Sequence, residues 1–561
     1  MKTITAKSKI IAIAFTISVS LSTGIFAQSD WKAYPYSPPG SVLTFPDDDG
    51  MHMDLSITTE WWYLNMHLIG SAPNYNKYDV MLCYFYRPAI MRIFNIADPS
   101  SGTFNTNVNQ TPFILTPQAG HWDLSYNILF QISDYSNWTY PSDNITCSYF
   151  FHVEEPVKDD GLDVTLTSNR PPLVIGGNGF VPIGGQGDSS FYYTYSNMKV
   201  EGTIKYNGVE DVITSGLGWI DRQWGPFTVG TNPDNMYEWF SLQMDIPGTT
   251  LGIPQSPSEF NIWQIFSDTN SIPYLPQWRL VSAMYPDTTQ DTSSSFIFER
   301  TGYWHDQADD KYYSLGWRFI NPLRGVNIDI TPTIDDQVVD VTLFKFWEGS
   351  TELKGTVENQ AVEGVGFAEL VAGHDYEIIP PSSPTGLIVL PDSNHFSLNW
   401  SASSQGTYPP GGYRIYRSST NEGYWQYIAT TTDLFYDDYS ASLDSGYYYT
   451  VSSFDDQTAT SGSNYASPVL VSPSGINVKP VAHDEIAIYP NPVTDELNIV
   501  VSFNYPVLFN IYDVIGRQIK SIEIEEKHTK ISIDNISDGI YIYQIVCQKG
   551  NVINRGKLVV N

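Results

Sequence analysis

Apolar and polar residues alternate in short runs along most of this chain, and that pattern restricts the possible folds more than any other feature. Phe396-Ser397-Leu398-Asn399-Trp400, Tyr413-Arg414-Ile415-Tyr416-Arg417 and Tyr447-Tyr448-Tyr449-Thr450-Val451 each have a period of two. That period sends successive side chains to opposite faces of a strand. Aromatic residues make up 14% of the 561 residues, with 41 Gly and 36 Pro, a mix that favours strands and turns over long helices. The expectation is a mostly β chain of about three or four domains. Lys and Arg number 29 against 61 Asp and Glu, for a formal charge of −32. Phosphate backbones need clustered cations and anionic headgroups need basic segments. No such run occurs, so nucleic acid and anionic membranes are not expected partners.

Residues 1–27 read as a signal peptide. Lys2, Lys7 and Lys9 precede the mostly apolar run Ile10 to Leu21, and small residues lead to a cut after Ala27. The other reading is an N-terminal membrane anchor, but the run is short of the roughly 20 residues a span needs. Three cysteines, Cys83, Cys147 and Cys547, do not make a disulfide framework. Cys83 lies in an apolar run and reads as a core residue, with a Cys83–Cys147 bridge as the alternative in an oxidising compartment.

Three motifs between residues 40 and 376 carry the chemistry. The first is Phe45-Pro46-Asp47-Asp48-Asp49-Gly50-Met51-His52-Met53-Asp54, followed by Thr59-Glu60-Trp61-Trp62-Tyr63-Leu64. The second is Gly218-Trp219-Ile220-Asp221-Arg222-Gln223-Trp224-Gly225, and the third is Phe346-Trp347-Glu348-Gly349 with Gly364-Val365-Gly366-Phe367-Ala368-Glu369-Leu370. Each sets a carboxylate among bulky rings. Alternation puts Glu60 with Trp62 and Trp61 with Tyr63; it puts Trp219 with Asp221, and Arg222 with Trp224 on the opposite face. A carboxyl facing an aromatic barrel interior is desolvated and its pKa rises, so Asp221 is the candidate proton donor. Trp219, Trp224, Glu60, Trp62, Tyr193 and Tyr195 are the candidate ligand-binding residues. The competing reading is structural: Glu60, Asp221 and Arg222 as ion pairs in a packed core.

Asp47, Asp48 and Asp49 could hold Ca²⁺, though a solvated turn is the simpler reading. His67 follows the first strand motif and is a candidate for the barrel interior. His121, His152, His305 and His374 lack zinc-ligand spacing, and neither a metal nor a cofactor is expected. There is no Gly-x-Ser-x-Gly elbow and no His-Glu-x-x-His, so hydrolysis has no positive support.

Taken together, the three motifs resemble the AttH/CrtC family, lipocalin-like proteins that include carotenoid 1,2-hydratases. The resemblance implies two lipocalin-like β-barrel halves, 40–210 and 211–376. It also implies that the Asp of Asp-x-x-Trp-Gly, here Asp221, donates a proton. Trp219 stands where hydratases carry Tyr, and Phe191-Tyr192-Tyr193-Thr194-Tyr195-Ser196 lacks their His-x-Trp pair. Those departures leave room for another apolar substrate, or for binding without chemistry. After a linker at 377–385, residues 386–472 resemble a fibronectin type III sandwich, which such proteins use as a spacer or adhesion module. Residues 486–561 begin Ile488-Tyr489-Pro490-Asn491-Pro492 and continue with Ile511-Tyr512-Asp513-Val514-Ile515-Gly516-Arg517 and Gly539-Ile540-Tyr541-Ile542-Tyr543. They resemble the C-terminal sorting domain of the type IX secretion system of Bacteroidetes-type Gram-negative bacteria, itself a small β-sandwich. That resemblance implies export, then release or cell-surface attachment, with the secretion machinery as a partner. Three functions follow: binding of an isoprenoid or lipid-like ligand, addition or removal of water at a C=C bond, and surface interaction.

Overall fold

The computed structural model describes residues 31, 33–71, 76–110, 113–128, 131–139, 147–183, 188–227, 236–266, 275–341, 344–371, 373–392, 394–457, 460–471, 486–501, 506–513, 517–547 and 552–560. The export segment 1–27 lies outside the described residues, as do 514–516 of the 511–517 motif.

Residues 59–371 build two large curled antiparallel sheets. The first has fourteen strands among the described residues. At its centre Lys77–Arg87, Thr59–Ile69, Ser215–Gly225, Ser189–Tyr206 and Asp160–Ser168 run side by side. Ser215–Gly225 therefore belongs to the first sheet and the second begins at Met236–Asp245, so a division at 210/211 falls inside the first sheet. The cause is non-local pairing. Asp221 lies opposite Tyr63 on one side and Thr194 on the other, a choice of partners that local alternation does not reveal.

The first sheet curls until Arg92 meets Asp134 at 2.8 Å and the Tyr84 hydroxyl donates to the same carboxylate at 2.8 Å. This encloses Trp62, Trp122, Tyr149 and Phe151. The second sheet has ten strands among the described residues, with Met236–Asp245 between Ser258–Phe266 and Gln360–Val371, and Phe344–Val357 next. Phe240, Phe260, Phe319, Trp317 and Trp347 fill its own curl.

A third core joins the two sheets. Trp61, Tyr63, Tyr192 and Trp219 from the first pack with Tyr237, Trp239, Trp263 and Phe367 from the second. Thr59–Ile69 and Ser215–Gly225 are buried on both faces. One set of their side chains fills the first curl and the alternate set fills the seam. Cys83 belongs to the seam and Cys147 to the first curl. Both are free thiols, so they do not bridge: they lie in separate cores.

Residues 385–471 form a two-sheet sandwich. One sheet holds Thr385–Pro391, Phe396–Ser401 and Phe435–Asp438; the other holds Gln426–Thr431, Pro410–Ser418, Tyr447–Asp455 and Val469–Val471. This sandwich is packed onto the second sheet rather than held away from it. Ile320 shares a core with Tyr416 and Trp425. The Arg300 amide donates to the Thr460 carbonyl at 2.7 Å, and the Gly462 amide to the Arg300 carbonyl at 3.1 Å. These bonds cover the edge strand Ile297–Arg300, a position that unpaired would invite association. The 377–385 connection is docked as well, since Ile378 is buried against Phe266.

Among its described residues the carboxy-terminal unit has a three-stranded sheet (Ile486–Tyr489, Glu496–Val501, His528–Ser532) and a four-stranded one (Gln518–Ile524, Val507–Tyr512, Gly539–Cys547, Val552–Val560). Leu497, Ile499, Phe509, Ile511, Ile545 and Leu558 are buried between them, as alternation in each strand requires.

Candidate active site

Asp221 faces the seam between the sheets, not the interior of the first curl. It opens on a cavity of about 30 Å³. Tyr63, Tyr237, Trp239, Trp263, Glu348 and Glu369 line it with Trp61, Cys83 and Phe346. None of the described lining residues is Lys, Arg or His.

Named hydrogen bonds fix most of the polar groups here. Asp221 Oδ1 accepts the Trp219 indole N–H at 3.0 Å, and Oδ2 accepts the Tyr192 hydroxyl at 2.5 Å. The Tyr192 oxygen in turn accepts N–H groups from Trp239 at 2.9 Å and Asn261 at 2.7 Å. The Tyr63 hydroxyl donates to Glu348 Oε1 at 2.7 Å, and the Tyr237 hydroxyl to Glu369 Oε1 at 2.6 Å. Glu348 and Glu369 lie directly opposite each other in the ladder. Their register follows from the tight Glu358-Asn359 turn, where both residues have positive φ, 50° and 62°, the geometry of a two-residue hairpin loop.

Burial pushes Asp221 up to about 7 against the Tyr192 and Trp219 hydrogen bonds, with help from Glu369. Burial likewise raises Glu369 to about 7 against its bond from Tyr237. Glu348 is lifted well above the carboxylate range by burial and by Glu369. Two facing carboxyls without a cation cannot both ionise.

Of the residues singled out from the sequence, only Trp219 joins Asp221 here. Glu60, Trp62, Trp224, Tyr193 and Tyr195 lie on the other face of the same strands, inside the first curl. The physical reason is strand alternation: even and odd positions cannot share a cavity. Glu60 is ion-paired to Arg222 at 2.6 Å. Burial raises its carboxyl, but Arg222 and His52 outweigh that and hold it at about 2. The Arg222 guanidinium lies 4.0 Å from the Trp62 ring centre, and Trp224 stacks on His52 at 4.0 Å. Tyr193 donates to Asp49, and Tyr195 packs on Tyr149. Asp49 is turned fully inward, taking Tyr149 at 2.8 Å as well, while Asp48 bonds the Thr44 amide at 2.6 Å and His52 at 3.1 Å. Among the described residues no three His, Cys, Asp or Glu side chains converge as metal ligands. His67 faces the seam, with Nδ1 2.6 Å from Asp79 and its ring 5.0 Å from Phe367.

Sequence reasoning passed over Tyr63, Tyr192, Tyr237, Trp239, Glu348 and Glu369 as site residues. Glu348 and Glu369 sat inside the third motif, and the Glu358-Asn359 turn was the available signal that they pair.

These buried acids set the pH dependence of stability. Asp49 and Asp221 are raised from 3.8, and Glu369 from 4.5, all to about 7. Between those limits the folded chain binds more protons than the unfolded one, so stability falls as pH rises. Glu60, lowered from 4.5 to about 2, acts in the opposite sense, and only below the range where the others titrate. Thermal melts should therefore show Tm falling from about pH 4.5 to about pH 7, with a slope that survives high salt. Surface repulsion from the net charge would be screened. A Tm that rises through this interval contradicts the assignment.

A pair of curled β-sheets closing on an acidic, aromatic seam defines the class: a β protein of two curled half-barrel sheets that share a buried cavity. The chain belongs to the AttH-like family, whose model matches residues 36–374. Residues 487–561 match the secretion system C-terminal sorting domain, which directs the protein through type IX secretion to the cell surface or the extracellular space. Kievitone hydratase of Fusarium solani subsp. phaseoli is 22% identical over 376 residues, covering 64% of this chain and 97% of that protein. Among solved structures, an AttH from Nitrosomonas europaea is 22% identical, covering 59% of this chain and 98% of that one with a TM-score of 0.47. Kievitone hydratase from Nectria haematococca is 16% identical, covering 61% and 99% with a TM-score of 0.43.

Proposed function

We propose that the seam cavity hydrates or dehydrates a carbon–carbon double bond on an apolar substrate of isoprenoid or lipid-like type. The observation that carries this reading is a trio of buried carboxyls, Asp221, Glu348 and Glu369, facing aromatic rings in one cavity. Hydration needs a neutral acid to protonate one alkene carbon and a carboxylate to take a proton from the attacking water. Asp221 and Glu369, held at about 7, supply both forms near neutral pH, and burial with Glu369 raises Glu348 well above the carboxylate range. The cation formed between the two steps is stabilised by the π faces of Trp239 and Trp263. The similarity to kievitone hydratase supports the reaction class, and the apolar seam supports the substrate class.

The test is incubation with kievitone and a panel of isoprenoid and lipid-like alkenes, scoring by mass spectrometry for gain or loss of one water. Asp221→Asn should lower turnover by about 10²–10⁴-fold, the span for a positioned acid or base. Undiminished turnover in that variant removes Asp221 from the chemistry.

A further inference from the structure

Three carboxyls share the cavity, and their hydrogen bonds distinguish them. Tyr192 has one proton to give. Its other two neighbours, Trp239 and Asn261, are N–H donors, so that proton goes to Asp221 Oδ2. The Trp219 indole can only donate, and it donates to Oδ1. Both Asp221 oxygens thus receive donors, a setting that favours a carboxylate. Glu348 is built the other way. Its Oε1 accepts from Tyr63, whose oxygen accepts from Asn65 at 3.2 Å. Its Oε2, on a side chain that lines the cavity, is buried and receives no donor; the group that Glu348 meets besides Tyr63 is the Glu369 carboxyl, with which it shares a hydrogen bond. Leaving a charged oxygen bare in that setting is costly. A carbonyl oxygen at Oε1 and a hydroxyl at Oε2 account for the pattern.

Resting on the hydration reading above, we propose that Glu348 is the group that protonates the alkene and that Asp221 is the carboxylate that deprotonates the water. The π pair of the C=C bond takes the Glu348 proton and forms a C–H bond, leaving a cation at the neighbouring carbon and a carboxylate at Glu348. A water oxygen forms the C–O bond to that carbon while its proton passes to Asp221. Alkene and water give an alcohol, and the proton returns from Asp221 to Glu348 through cavity water before the next turn. Five other titratable groups line the cavity with Glu348: Tyr63, Cys83, Asp221, Tyr237 and Glu369. Burial and Glu369 hold its proton in place.

Infrared spectra of the carboxyl C=O stretch read the proton directly and need no substrate. At about pH 8, above the point where Asp221 and Glu369 titrate at about 7, a protonated carboxyl band should remain in the native protein and in Asp221→Asn. It should be missing from Glu348→Gln. Tyr63→Phe keeps the carboxyl but removes the bond to Oε1, so it should keep the band at higher frequency even if Glu348→Gln folds poorly. Turnover of kievitone by Glu348→Gln should drop about 10²–10⁴-fold. A band that survives in Glu348→Gln and vanishes in Asp221→Asn overturns the assignment, as does its absence from the native protein. A native protein that hydrates no alkene overturns the hydration reading and the donor role with it, while the infrared band still decides where the proton rests.

Discussion

Arg222→Leu should cost the first sheet about 3–5 kcal/mol, the penalty for stripping one partner from a buried ion pair. Arg222 and Glu60 are both inaccessible to solvent, and their 2.6 Å bond is only part of what the guanidinium does. It also donates to the Gly50 carbonyl at 2.5 Å and to the Trp61 carbonyl at 3.0 Å. Leucine would leave the Glu60 carboxylate with His52 alone and take a donor from two carbonyls beneath the Trp62 ring. Domains have only about 5–15 kcal/mol to lose, so the variant should melt far below the native protein. Urea titration monitored by Trp fluorescence gives the number. The control is Glu60→Gln with Arg222→Leu. Removing both charges lifts the desolvation cost together with the attraction, so the pair should be much less damaging than Arg222→Leu alone. If Arg222→Leu melts like the native protein, the Glu60–Arg222 pair is not the internal brace of the first curl.

That pair also shows how far the sequence could be read. Alternation in Glu60-Trp61-Trp62-Tyr63 and in Trp219-Ile220-Asp221-Arg222 divides these residues into two faces, and the structure divides them the same way. What each face meets is a tertiary matter. Both strands are apolar on both sides, so periodicity did not distinguish the curl from the seam. Proximity to rings in the sequence places Asp221 and Glu60 in one pocket, a local resemblance that holds for Asp221 but not for Glu60, which is ion-paired to Arg222 in the first curl. The other wall of the cavity, Tyr237, Trp239 and Trp263, comes from strands of the second sheet, and no local pattern announces that approach. Glu348 and Glu369 were legible in principle. A two-residue turn at Glu358-Asn359 sets a register that makes them neighbours, and like charges forced together on adjacent strands are unusual enough to mark a site.

Ending the chain after residue 376 should destroy the cooperative fold of the second sheet rather than trim a spacer from it. Glu299 is wholly buried and accepts from Arg318 at 3.4 Å within its own sheet and from Arg414 of the sandwich. The Arg318 guanidinium lies 3.9 Å from the Tyr465 ring centre, and Tyr465 also donates to Asp329 at 2.9 Å. Asn327 and Thr356 both donate to the Trp425 carbonyl, at 2.9 and 3.2 Å. Without the sandwich Glu299 loses its closer cation, Arg318 loses its aromatic cover, and Ile320 is exposed. One broken buried pair costs about 3–5 kcal/mol, and lost apolar burial adds about 25 cal/mol for each Å². The uncovered Ile297–Arg300 edge would then favour aggregation. Calorimetry of the intact protein should show the sandwich and the two sheets melting together, and Arg414→Leu should lower that shared transition. A shortened chain that stays soluble and melts at the native temperature, or a sandwich that melts separately, would mean that the contacts at Glu299 contribute little. The expected outcome follows from where the charges are: a flexible spacer has no reason to bury an arginine against a glutamate of its neighbour.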